Sequence, residues 1–367
     1  MSIISAYHKE ESPEVIRILI VDDSAMVRTL TSSLLAGDPE IEVAGVAQNG
    51  KLALNRYEHL RPDVVLMDMV MPEMDGLEAL RELRRIDPRA VVIMFSSLTR
   101  RGAAITLDAL AAGAVDYVAK PGSGPGEGNH SEMMQALGAD LIAKIKLHAH
   151  RRRTPPAAAP PPKPAPRSAS AVSNKRVSVI AIASSTGGPN ALSTLIPAFP
   201  PDLPVPVVIV QHMPNVFTKL LAERLDLASR IRVREGAAGI VLEPGTVYIA
   251  PGGHHMETVR SGHQFELRIH DGPPENNCRP AADVLFRSVA ACYGGATLGV
   301  VLTGMGQDGL RGCEALHKLG AQVVVQDEAS SVVWGMPRMV AEARLADAVL
   351  PIESMGDDIL RRVAQHT

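Results

Sequence analysis

The 367-residue chain is 46% hydrophobic and 21% charged with a formal net charge of −3, the balance of a globular protein, and it is long enough for two or three domains. Aromatic residues make up only 3%, and the one dense basic run, Arg151 to Arg153, opens a proline-rich stretch, so a stacking platform and a basic face for nucleic acid are both missing. The three cysteines, Cys278, Cys292 and Cys313, lack Cys-x-x-Cys spacing, which argues against a disulfide framework or zinc site and for a reducing, cytoplasmic setting; no apolar run approaches ~18 residues, so no membrane insertion is expected.

Residues 1–15 read as an N-terminal extension. From Ile16 to about residue 147, short apolar runs (IRILIV, VVLM, AVVIMF) alternate with helix-patterned segments (MVRTLTSSLLA, LEALRELRRI, TLDALAAG), which predicts an α/β domain around a parallel sheet. Residues 148–174 are expected to be a linker, because Thr154 to Pro166 holds seven prolines in thirteen residues and should run as polyproline II. Over 175–367 the alternation returns. VSVIAIA, PVVIVQ, TLGVVLT and AQVVVQ read as buried parallel strands of a doubly wound α/β domain, the first three each followed by a helix-like segment. The Gly/Pro-punctuated stretch from Ile231 to Gly272 suggests an inserted antiparallel hairpin or meander.

In the first domain, strand IRILIV leads into Asp22 and Asp23, and strand DVVLMD ends in Asp68. Open parallel sheets gather the carboxyl ends of their strands at one edge, so the three acids should converge. Close carboxylates repel unless a cation sits among them, and hard oxygen ligands suit magnesium. Ser96 and Lys120 end the next two strands, placing a hydroxyl and an ammonium where they could cradle a phosphoryl group. VDDSAMVR, LMDMVMPEMDGLEAL, SSLT and DYVAKP resemble the motifs of two-component receiver domains, which have a flavodoxin-like five-stranded parallel sheet. That resemblance implies Asp68 as phosphoacceptor, Asp22, Asp23 and Asp68 as Mg2+ ligands, Ser96 and Lys120 as phosphoryl contacts, Tyr117 as a switch residue and a histidine kinase as phosphodonor.

In the second domain, VSVIAIA runs through SSTGGP into a helix, placing a serine on a strand-to-helix turn with glycines behind it. His212 follows the next strand in QHMP, and Asp308 follows TLGVVLT in GMGQDG. A nucleophile, a base and an orienting acid at strand carboxyl ends are the parts of a hydrolytic triad. GMGQDG also fits a G-x-G-x-x-G dinucleotide fingerprint, with Asp327 ending the following strand, and so allows a nucleotide-binding output domain; a carboxylate before its last glycine would repel a pyrophosphate there. A transcription regulator would need a basic recognition helix, which is not seen.

IAIASSTGGP, QHMPNVFTKLLAERL, VYIAPGGHHME, IHDGPPENNCRPAADVLF, VVLTGMGQDG and VVWGMPR resemble the catalytic domain of the chemotaxis response-regulator protein-glutamate methylesterases. The resemblance implies Ser185 as nucleophile, His212 as general base and Asp308 as its orienting acid, with Thr186 and Met305 lining the site. It also implies demethylation of glutamyl methyl esters on methyl-accepting chemoreceptors with release of methanol, deamidation of receptor glutamines, and no cofactor in this domain. The unphosphorylated receiver is expected to restrain the esterase. Where that family usually has Gly-Ala before the serine, this chain has Ala183 and Ser184.

Overall fold

In the computed structural model, residues 15–97, 99–120, 130–153 and 176–364 are described. Most of the expected N-terminal extension and the proline-rich run Thr154 to Pro166 lie outside them. The chain forms two compact units, each built around its own parallel sheet.

The first unit's sheet takes its strands from the expected βα alternation: β1 (Ile16–Val21), α1 (Ala25–Leu35), β2 (Ile41–Ala47), α2 (Gly50–Leu60), β3 (Val64–Asp68), α3 (Gly76–Ile86), β4 (Val92–Ser96), α4 (Arg100–Ala111), β5 (Asp116–Ala119) and α5 (His130–Arg153). The strand order is β2-β1-β3-β4-β5 and every pairing is parallel. β3 and β4 are buried along their whole length, which is why they read as unbroken apolar runs. Ser24, Asn49 and Asp75 cap α1, α2 and α3 by accepting the backbone N–H of Val27, Leu52 and Glu78, at 3.4, 2.9 and 2.8 Å. Strand order turns back between β1 and β3, so the Asp22 and Asp68 ends flank a topological switch point. Helix α5 continues past the expected domain end at residue 147, and within that continuation His148 is buried 3.5 Å from Asp116 Oδ2 and Arg152 lies 3.0 Å from Asp87 Oδ2.

The second sheet has seven strands, all parallel, in the order β14-β13-β12-β6-β7-β9-β8. Its elements are β6 (Val179–Ser184), α6 (Gly188–Leu195), β7 (Val207–Gln211), α7 (Asn215–Ala228), β8 (Arg232–Glu235), β9 (Thr246–Ile249), β10 (His255–Ser261), β11 (Gln264–His270), α8 (Ala282–Tyr293), β12 (Thr297–Val301), α9 (Leu310–Lys318), β13 (Gln322–Gln326), α10 (Met336–Glu342), β14 (Ala348–Leu350) and α11 (Ile352–Ala364). The central strands β6, β7, β12 and β13 are fully buried, and Phe286 and Val289 of α8 pack into the same apolar core as Val179, Ala181 and Val301.

The stretch expected to insert a hairpin or meander divides in two. β10 and β11 form the antiparallel hairpin, in register from His255↔His270 to Ser261↔Gln264 and closed by Gly262 at φ 59°. β8 and β9 instead extend the main sheet in parallel: Thr246, Val247, Tyr248 and Ile249 are all buried, Val247 to Ile249 pair with β7, and β8 pairs with β9 from Arg232↔Thr246 to Glu235↔Ile249.

Candidate active site

The first unit brings its acids together as the strand ends require. One carboxylate oxygen from each of Asp22, Asp23 and Asp68 lies within 4.8 Å of the others. Lys120 reaches in from the end of β5, with Nζ 2.7 Å from Asp22 Oδ2 and 2.8 Å from Asp68 Oδ1. The Met69 N–H donates to Asp68 Oδ1 at 2.7 Å. Burial pushes the Asp68 carboxyl above its ordinary range, and the Lys120 ammonium only partly opposes that. A buried carboxylate pair with an exposed third acid beside it fits a hard cation that keeps part of its water shell. Gly76 is required behind this cluster: a Cβ there would lie 2.0 Å from the Asp68 carbonyl oxygen. Ser96 is buried at the end of β4, its hydroxyl donating to the Ser97 carbonyl at 3.2 Å. Tyr117 lies on β5 with Lys144 Nζ 5.5 Å from its ring centroid.

In the second unit, β12, β6 and β7 are neighbours, so Asp308, Ser185 and His212 follow the carboxyl ends of three adjacent strands. The turn after β6 is tight. Gly187 takes φ 78°, a Cβ on Gly188 would stand 1.9 Å from Gln211 Oε1, and one on Gly304 would stand 2.8 Å from Ser185 Cβ. The two serines separate clearly. Ser184 is fully buried and its hydroxyl donates to Gln211 Oε1 at 2.7 Å, while Gln211 Nε2 donates to the Ser185 carbonyl at 2.9 Å. Ser185 is half-buried, and among the described residues its hydroxyl makes no hydrogen bond. Thr186 is buried beside it, its carbonyl accepting the Thr303 hydroxyl at 2.9 Å, and Met305 projects from the loop after β12 with 43% of its surface exposed.

His212 Nε2 lies 2.8 Å from Asp308 Oδ2. Asp308 is buried and surrounded by donors: the backbone N–H groups of Ala282 at 2.6 Å, Asp283 at 3.0 Å and Gly309 at 3.1 Å, and Asn276 Nδ2 at 2.9 Å. Two of these amides open helix α8, whose N-terminal end favours an anion. Burial alone would raise the Asp308 carboxyl; the His212 contact and these donors outweigh it and hold the group below its ordinary range. Burial likewise works against the His212 imidazolium, but the bonds to Asp308 and Cys278 prevail and raise it to about 9.

Three residues of this arrangement were given no role by sequence reasoning. Asn276 divides its amide hydrogens between Asp308 Oδ1 and Asp283 Oδ2, the latter at 3.0 Å. Cys278 Sγ lies 3.7 Å from His212 Nδ1. Gln211 ties Ser184 to the Ser185 backbone. The segment ENNCRPAAD was visible as a motif, but its side chains are polar types that usually decorate turns. The dinucleotide reading of GMGQDG is not supported: the Gly309 amide that would face a pyrophosphate is bonded to Asp308 instead.

Residues 180–359 match the family described as CheB methylesterase, and residues 18–125 the response regulator receiver domain. A protein-glutamate methylesterase/protein-glutamine glutaminase of Trichodesmium erythraeum is 48% identical over 350 residues, covering 95% of this chain and 99% of that protein. A protein of the same name from Nocardioides sp. is 48% identical over 363 residues, covering 95% of this chain and 96% of its own. Among solved structures, the Thermotoga maritima CheB methylesterase catalytic domain matches at a TM-score of 0.50 and 40% identity, covering 50% of this chain and 97% of that one. With both domain families matched and such relatives spanning nearly its whole length, the chain belongs to the receiver-linked protein-glutamate methylesterase/protein-glutamine glutaminase family.

Proposed function

We propose that this chain hydrolyses γ-glutamyl methyl esters on chemoreceptors, releasing methanol, and deamidates receptor glutamines by the same acyl chemistry, under the control of phosphorylation at Asp68. The observation that carries the reading is the His212–Asp308 pair at 2.8 Å beside the turn that presents Ser185. Ser185 Oγ attacks the γ-carbonyl. His212 accepts the serine proton at Nδ1, the ring nitrogen that Asp308 does not hold, and returns it to the departing methoxide or to ammonia. Water then attacks the acyl-enzyme with His212 again as base. The Asp308 carboxylate on Nε2 stabilises the imidazolium formed as Ser185 gives up its proton. Thr186 and Met305 border the position of the reacting carbonyl.

In the receiver, Asp68 takes the phosphoryl group from a histidine kinase, with Ser96 and Lys120 contacting it and Tyr117 responding. Asp22, Asp23 and Asp68 are the residues that would hold Mg2+, whose charge would offset that of the incoming phosphoryl group. Among the described residues no helix is long and apolar enough to cross a membrane, and the proposed setting is the cytoplasm, facing the receptors' methylated segments. Methanol release from methylated receptor membranes, measured with and without a small phosphodonor and magnesium, tests the reading. Release that rises with the phosphodonor is expected. No methanol under either condition refutes it.

A further inference from the structure

Cysteine spacing along the chain argues against a zinc site, yet the fold joins residues that are far apart in sequence. Cys278, His212 and Asp308 each place one ligand-type atom within 4.8 Å of the other two. One feature of this group goes beyond what a triad needs, and a second serves a metal as well as a triad. Cys278 Sγ stands 3.7 Å from His212 Nδ1, and tetrahedral zinc bonded to one sulfur and one imidazole nitrogen holds those atoms about 3.6 Å apart. Asp308 meanwhile occupies the opposite ring nitrogen, Nε2, the position from which a carboxylate orients a metal-bound histidine.

The cysteine is held in place. Glu275 and Cys278 exchange backbone hydrogen bonds at 3.1 and 2.8 Å, Asn276 and Asn277 close the turn at φ 52° and 60°, and the Glu275 carboxylate binds Arg287 at 2.7 Å. Cys278 is half-buried. Cys313, by contrast, is fully buried, and Cys292 lies against the Thr258 carbonyl at 3.3 Å.

We infer that His212 Nδ1 and Cys278 Sγ form an inhibitory site for a thiophilic divalent cation such as Zn2+, with Asp308 as the carboxylate behind the histidine and water completing the coordination. Binding displaces to solvent the thiol proton and the proton that the imidazolium carries on Nδ1, and occupies the nitrogen that would otherwise take the proton of Ser185. The inference rests on the esterase reading for its consequence, but not for its binding step. The cation closes the site reversibly, and a chelator reopens it.

The test uses the full chain with saturating Mg2+, so that the receiver carboxylates are already occupied. Cd2+ titrated into it should give one equivalent of cadmium–thiolate ultraviolet absorption, which carboxylates cannot produce. Zn2+ should compete that signal away and lower methanol release at least tenfold, with recovery on adding EDTA. Cys278→Ala should lose the absorption and, relative to its own metal-free rate, need at least tenfold more Zn2+ for inhibition; Cys292→Ala should keep both. Cys278→Ser supplies a second variant if the alanine form folds poorly. Thiolate absorption that survives loss of Cys278, or Zn2+ inhibition unchanged in that variant, overturns the site. If the absorption appears as expected but the metal-free chain releases no methanol, the site stands and the esterase reading falls.

Discussion

Ser184 gives its hydroxyl to Gln211 Oε1 at 2.7 Å, inside the sheet, and so stands one residue before the turn without facing it. The family resemblance implies Ser185 as nucleophile, and this bond engages the adjacent hydroxyl of Ser184. Ser185→Ala should lose methanol release by several orders of magnitude with thermal stability unchanged. Ser184→Ala should keep turnover within a few-fold but lose about 1 to 3 kcal/mol of stability, since Gln211 Oε1 is left buried without its donor. The opposite division of effects between kinetics and thermal melting would reassign the nucleophile.

Asp308 accepts from every group around it, so Asp308→Asn turns an amide N–H2 toward backbone donors and misorients His212. Turnover should fall by about 10⁴, the scale of the same change in serine-protease triads. Steady-state kinetics on methylated receptors would check it. A loss smaller than tenfold would remove Asp308 from the mechanism.

Asn276→Ala takes the shared donor from two buried carboxylates, Asp308 and Asp283. Turnover should drop about 10- to 100-fold, the rate equivalent of one lost charge-assisted hydrogen bond, with KM little changed. Asn276→Asp should be worse than alanine because it adds a third negative charge. Should the aspartate variant outperform the alanine one, Asn276 acts by shape and not by donating.

Asp68→Asn should fold normally yet accept no phosphoryl group from acetyl phosphate, because Asp68 is the acid that Lys120 and the Met69 amide converge on. Labelling equal to that of the unmodified chain would exclude the assignment. Asp22→Ala should weaken magnesium binding by removing a ligand, which titration in the absence of phosphodonor would show.

Asp116 is buried against Lys144 and His148; burial opposes its charge, but these partners hold its carboxyl below the ordinary range. A depressed carboxyl contributes stability that is present above its unfolded value near 3.8 and lost as pH falls through the lower folded value. Asp116→Asn should cost the first unit about 1.5 to 3 kcal/mol at neutral pH, and the difference from the unmodified chain should shrink on acidification below about pH 4. Thermal melts across that range would show it; a difference independent of pH would contradict the charge argument.

The strand-end positions were legible because a parallel sheet delivers the residue after each strand to one edge: Asp22, Asp68, Ser185, His212 and Asp308 all follow buried apolar runs of the kind that sequence displays. What surrounds them was not. Cys278 meets His212 across 66 residues and Asn276 meets Asp308 across 32, and no periodicity links polar turn residues over such separations. β8 and β9 lie in the stretch whose alternation suggests a hairpin or meander without saying which strands form it; burial of Thr246 to Ile249 on both faces sets their parallel pairing, and burial is a property of the finished fold.

The amides of Ala282 and Asp283 end on a carboxylate buried at the centre of the site, whereas the first N–H groups of a helix ordinarily face water. Their protons are therefore a built-in clock for the integrity of that site. In hydrogen–deuterium exchange they should be retained as long as the core of the unit, although they sit in the first turn of α8, where fraying normally makes exchange fast. Any change that frees Asp308 would release these two protons first, with no substrate or turnover needed to see it.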